Sequence, residues 1–126
     1  TFTNEYRDAI DLRYTFEENL RDHLESGRSS IIQMTSAQAG ELLRHLHQAF
    51  DMIFIDGEHF YDYAAGDIKN YLPLLSPGGL LCGHDYTPSA PEFGGVIKAV
   101  HELVPAGFEV YIPVGRIWEY RLLQSS

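Results

Sequence analysis

The sequence predicts an α/β fold: a mostly parallel sheet flanked by helices, with an antiparallel hairpin at its C-terminal end. Three observations carry this. Met52-Ile53-Phe54-Ile55 is a run of four apolar residues, too short for a buried helix and suited to a strand covered on both faces. Leu80-Leu81-Cys82-Gly83 is a second such run, and helix-period segments stand before, between and after the two. The last stretch, residues 116–123, alternates, with Trp118, Tyr120 and Leu122 opposite Ile117, Glu119 and Arg121, as in a hairpin with one wetter face. Regular alternation of helices and strands implies a parallel sheet with helices on both faces. Right-handed crossovers then bring the ends of the two short strands to one rim.

In chain order, residues 1–14 show no clean period and read as a loop or a short helical turn. Thr15-Phe16-Glu17-Glu18 has the form of a capping box, in which Thr and Glu side chains each satisfy a free amide. Phe16, Leu20 and Leu24 follow at four-residue spacing, and Ser26-Gly27 closes the helix. Residues 29–34 read as a short strand. Thr35 to Gln38 is a second capping box, leading into a helix whose apolar face is Leu42, Leu43, Leu46 and Phe50. His23, His45 and His47 fall off these apolar faces and read as solvated residues.

After the central strand, Asp62 caps a helix running to about Leu72, with Ala65, Ile68, Tyr71 and Leu72 inward and a costly Gly66 within it. Pro73 ends that helix, since it has no amide to give to the ladder. Ser76-Pro77-Gly78-Gly79 is a turn signal, and residues 87–95 form a loop over the strand ends. Val96, Ile97, Val100 and Val104 make one more helix face. Residues 108–112 and 116–123 are the closing strands, joined across Pro113-Val114-Gly115.

With 126 residues the chain reads as one domain, and 44% apolar with 13% aromatic residues excludes a disordered one. A net charge of -9, with nine scattered basic residues, disfavours nucleic-acid and anionic-membrane surfaces. No apolar run approaches the roughly 18 residues that span a bilayer. The single cysteine, Cys82, excludes an internal disulfide and suits a reducing, cytoplasmic setting. The absence of an initiating Met suggests a piece of a longer chain.

Both short strands end on polar clusters, Asp56-Gly57-Glu58-His59 and His84-Asp85-Tyr86. Ligands of open parallel sheets bind beyond the carboxyl ends of the strands. Two carboxylates from neighbouring strand ends suit a hard divalent cation such as Mg2+, which lowers the pKa of a bound hydroxyl. An imidazole near neutral pKa, His59 first and His84 second, would accept the hydroxyl proton, with Glu58 as a competing base. Asp56, His59 and His84 also offer the composition of a two-His-one-carboxylate iron site, the signature of a hydrolase or oxygenase instead. Asp-Gly is equally an ordinary turn. Phe60, Tyr61, Tyr86 and Phe93 stand where they would line an acceptor pocket or simply pack.

Residues 50–61 (FDMIFIDGEHFY), 72–79 (LPLLSPGG) and 83–86 (GHDY) together resemble class I S-adenosylmethionine-dependent methyltransferases. The group in question has a fourth strand ending in Ile-Asp-Gly-x-His and includes metal-dependent sugar O-methyltransferases. The resemblance runs from about Ser29 to Leu122 and implies a Rossmann-like fold lacking its first two strands. It implies S-adenosylmethionine as cofactor, bordered by Ser36 and Ala37 near the adenine and by Asp56 and Gly57 at the strand end. It further implies Asp56 and Asp85 as ligands of Mg2+, with His84 where other members carry a further acid, and His59 or Glu58 as base. The acceptor would be a small hydroxylated molecule.

The Gly-rich turn that grips the cofactor in this group is absent, so the 126 residues alone are expected to bind it weakly and to be inactive by themselves, or to be a non-catalytic remnant of the fold. Without the first two strands the central strand becomes an edge, which invites pairing with a second copy. Sedimentation as a clean monomer would count against that.

Overall fold

The computed structural model describes residues 12–111 and 116–124. Contacts divide the chain into two units, residues 1–33 and 34–126. In the first, residues 12–19 are helical (α1), and after a turn at Leu20 a short helix α2 spans Arg21–Glu25. Thr15 lies inside α1 and is not a cap. Gly27 takes φ +78 just past the last turn, as a helix-stopping glycine does. None of the described residues of this unit is buried.

Residues 29–33 form no strand, contrary to expectation. Strand conformation is held by a neighbour that takes its N–H and C=O groups, and no described segment pairs with this one. The pattern SSIIQM carries strand-forming residues and could not supply a partner.

In the second unit, Thr35 caps α3 (Ser36–His45) with the anticipated box: the Gln38 amide donates to Thr35 Oγ1 at 3.2 Å, and the Thr35 amide donates to Gln38 Oε1 at 3.3 Å. Its buried side is Ala39 and Gly40, whereas Leu42 and Leu46 of the expected apolar face are exposed. The small residues let α3 approach α4 (Tyr61–Tyr71) closely: a Cβ on Gly40 would lie 3.2 Å from Asn70 Cβ. Helix α4 starts after Phe60, so Asp62 sits in its first turn and does not cap it. A 3-10 turn over Leu72–Leu74 follows, as Pro73 requires.

The sheet has the order β1-β2-β4-β3, with β1 Phe50–Ile55, β2 Leu75–Gly83, β3 Glu109–Tyr111 and β4 Ile117–Arg121. β1 and β2 are parallel; β4 is antiparallel to both β2 and β3. The predicted fold class is therefore the one observed. Ser76-Pro77-Gly78-Gly79 turns inside β2 rather than before it, where the register slips between Phe50 and Met52. Gly78 there takes φ +80 and its amide still donates to Leu122 O at 2.8 Å. The expected linker Pro113-Val114-Gly115, and Ile112 at the end of the expected strand before it, lie outside the described residues.

Register places Ile53, Ile55, Leu81, Gly83, Tyr120, Trp118 and Val110 on one face. Against it pack Ala64, Ala65 and Ile68 of α4 and Val96, Ala99 and Val100 of α5 (Gly94–Leu103), forming the core. Helices of this unit thus serve one face. On the other, Met52 and Phe54 of the edge strand β1 are 61% and 48% exposed, which corrects the expectation of a strand covered on both sides.

Candidate active site

The rim forms because both parallel strands end at the same level. Ile55 pairs with Gly83, so Asp56 and His84 emerge side by side, and the His84 amide still donates to Ile55 O at 3.1 Å. Two residues later the Tyr86 amide donates to Arg116 O at 3.1 Å. Asp85, between these two pinned residues, takes φ +67. Asp tolerates the left-handed region better than most residues, and such conformations concentrate at functional sites. Tyr86 fixes the other side: it is buried, and its hydroxyl lies 2.6 Å from His101 Nε2 on α5.

The outcome is a cluster in which one ligand atom from each of Asp56, His84 and Asp85 lies within 4.8 Å of the others. His84 Nδ1 is 3.0 Å from Asp85 Oδ1 and 3.4 Å from Asp56 Oδ1. Two carboxylates this close repel, and a cation between them relieves that repulsion. Beneath the cluster sits Trp118, 1% exposed. A Cβ on Gly83, its partner across the sheet, would lie 2.6 Å from the indole ring. Glycine at that position is what lets the ring fill the space under the rim.

His59 is not in the cluster. Its ring stacks on Phe60 and Phe93, with centroids 4.6 and 4.7 Å away. The two-His-one-carboxylate set of Asp56, His59 and His84 is therefore not assembled; among the described residues the only metal-ligand group is Asp56, His84 and Asp85. Of the four aromatics considered for an acceptor pocket, Tyr86 is a core residue and Tyr61 donates its hydroxyl to Glu102 on α5. Phe60 and Phe93 flank His59.

Beside the cluster opens a cleft of about 670 Å³ that gathers Ser36, Ala37, Asp56, Gly57, Glu58 and His59. The remaining wall comes from α4, where Tyr63, Gly66, Asp67 and Asn70 recur at helical spacing. Sequence reasoning missed this stripe. It is the face opposite Ala64, Ala65 and Ile68, and a polar helix face normally meets water; only Gly66 hinted otherwise. Nothing titratable on the cleft wall carries a permanent positive charge, while Asp56, Glu58, Asp62 and Asp67 are acidic.

Asp67 is half-buried, and burial pushes its carboxyl above the ordinary 3.8, with a hydrogen bond from Ser36 acting the other way. It also abuts the strand end, since a Cβ on Gly57 would lie 3.2 Å from Asp67 Oδ2. A carboxyl whose folded pKa is raised adds stability below the unfolded value, and that contribution is lost as pH rises through the folded value. Asp67→Asn is thus expected to melt higher than the parent at neutral pH. The gain should shrink toward zero as pH falls to about 4, read from melting curves at several pH values. A gain that is the same at every pH would contradict burial as the cause.

A parallel pair extended by an antiparallel strand, with an acidic cleft at the parallel strand ends, defines an α/β enzyme domain of the kind that binds its ligand beyond the sheet. The family described as a methyltransferase domain matches residues 4–86, which take in the cleft, Asp56, His84 and Asp85, and the chain belongs to that family. Membership implies S-adenosylmethionine as methyl donor. No curated protein matches the chain. No helix among the described residues is long and apolar enough to cross a membrane.

Proposed function

We propose that this chain supplies the donor cleft and cation rim of an S-adenosylmethionine-dependent O-methyltransferase acting on a small hydroxylated acceptor. The observation that carries the reading is that Asp56 belongs to both features: it lines the 670 Å³ cleft and is one of the three residues of the cation cluster. Donor and acceptor must meet within bonding reach, so a residue common to both subsites is what methyl transfer needs.

The fit of each absent group rests on the residues present. A cleft of that volume, with carboxylates and no Lys or Arg on its wall, suits a cationic sulfonium ligand of drug-like size. Two carboxylates and one imidazole suit Mg2+ or Mn2+ better than a thiolate-seeking metal. When bound, the donor supplies an activated methyl group and the cation a Lewis acid that acidifies the acceptor hydroxyl.

Ser36, Ala37 and Gly57 would hold the donor, and Asp56 and Asp85, with His84, the cation. His59 would take the acceptor's hydroxyl proton on a ring nitrogen, its plane held by Phe60 and Phe93. Glu58, exposed on the same wall, is the alternative proton acceptor.

The test is a nuclear magnetic resonance titration of the 126-residue chain with S-adenosylhomocysteine, with and without Mg2+. Affinity on the order of millimolar is expected, for lack of a Gly-rich turn, with shifts at Ser36, Ala37 and Gly57. Saturating ligand that moves none of these amides would overturn the reading.

A further inference from the structure

Asp85 and Arg116 both take the left-handed backbone conformation, φ +67 and +48, and neither is a glycine. The Tyr86 amide ties them together by donating to Arg116 O. Two unfavourable turns joined by one hydrogen bond persist only where their surroundings over-determine them. On one side of Asp85 that support is the His84 amide on Ile55 O. On the other it is the side chain of Tyr86, which leads from the rim into the core.

The Tyr86 ring is 8% exposed and ends on a polar partner, His101 in the last turn of α5, with the hydroxyl 2.6 Å from Nε2. Burial raises the pKa of the phenol, so it keeps its proton. Among the described residues His101 is the only acceptor for that proton. The phenol therefore donates to Nε2, and the neutral imidazole carries its own proton on Nδ1. His101 is an exposed residue on a helix whose buried side is Val96, Ala99 and Val100. Yet its ring is also held edge-on by Phe108, with centroids 5.1 Å apart at 87°. Gripped on two sides, it is no freely solvated histidine.

We propose that His101 is a positioning residue for the cation rim: by accepting the Tyr86 hydroxyl it holds the turn that presents the Asp85 carboxylate toward Asp56. The inference rests on the reading above in which Asp56 and Asp85 share a cation. His101 itself touches neither carboxylate nor cation. It acts through one buried ring, from the opposite end of that ring to the site.

The variants are Tyr86→Phe and His101→Leu, which remove the hydrogen bond from either end, and His101→Gln, whose amide oxygen still accepts. Because His101 lies outside the core, its replacement leaves the packing of Leu81, Val100 and Trp118 in place. Mn2+ titrated into the whole chain is followed by broadening of the Asp56, Gly57 and His84 amides. Tyr86→Phe and His101→Leu should each need roughly tenfold more Mn2+ than the parent, or more, for the same broadening. The double variant should be no worse than either single one, since both delete the same bond. His101→Gln should stay close to the parent. Leu75→Val, a core truncation at the far end of β2, should melt lower and keep the parent's Mn2+ dependence, which separates positioning from general stability.

A second readout needs no metal: hydrogen exchange of the Tyr86 amide should be faster in His101→Leu and Tyr86→Phe than in the parent. Exchange as slow as the parent's in both variants overturns the inference. So does a parental Mn2+ dependence in His101→Leu, or a His101→Gln variant as impaired as His101→Leu. A parent chain that binds no Mn2+ at the rim, while exchange at Tyr86 quickens in the variants, would refute the cation reading and sustain the anchor.

Discussion

Asp85→Gly is expected to remove divalent-cation binding while leaving the fold as stable as before or more so. The substitution deletes a carboxylate of the cluster, and glycine takes the φ of +67 at this position without the strain an L-residue bears. Loss of a direct ligand should exceed the roughly 10–100-fold cost of changing an outer-shell partner. Mn2+ titrated into the parent chain should broaden the amide signals of Asp56, Gly57 and His84 selectively. In the variant those signals should stay sharp at the same Mn2+ concentration. Equal broadening in both proteins would mean that the cation, if it binds there, does not use Asp85. A fall in melting temperature would show that the left-handed aspartate serves the fold instead.

The largest stability effect should come from Trp118→Ala. Trp118 is 1% exposed, packs over Gly83, and joins Leu81, Val100 and Ile68 as one of the largest fully buried side chains. Truncating a buried tryptophan costs about 3–5 kcal/mol, transfer and cavity effects together. Small domains have about 5–15 kcal/mol in total. This one keeps an open strand edge, which puts it toward the lower end, so the variant should be largely unfolded in urea concentrations that leave the parent intact. Gly83→Ala approaches the same contact from the other side. One methyl 2.6 Å from the indole must displace it, an overpacking cost of about 1–3 kcal/mol. A Trp118→Ala midpoint close to the parent's would show that the core does not depend on the ring.

Features set by near neighbours in the chain were legible in the sequence. The Thr35–Gln38 capping box is a matter of four consecutive residues, and it is there. The strands at Met52–Ile55 and Leu80–Gly83, and the rim on which Asp56, His84 and Asp85 meet, follow from alternation of elements and the handedness of crossovers. What needed a distant partner was not legible. Residues 29–33 have strand-forming side chains and, among the described residues, no strand to pair with. Leu42 and Leu46 have helical spacing and, among the described residues of their own unit, nothing that buries them.

Thr15 illustrates a different failure, since a capping signal is weak when the helix has already begun before it. The Ser76–Gly79 turn was right in its backbone and wrong in its consequence, because the strand continues through it. The cleft wall of Tyr63, Gly66, Asp67 and Asn70 was hidden for a physical reason: polar helix faces look alike whether they meet water or a ligand.

The claim on which the rest depends is that one cation bridges Asp56 and Asp85 beside the donor cleft. Crystals of the chain grown with Mn2+ and measured at the manganese absorption edge test it most directly. The account predicts an anomalous peak within about 2.0–2.6 Å of a carboxylate oxygen from each of Asp56 and Asp85. A manganese peak elsewhere, with these two carboxylates joined only through His84, would contradict it.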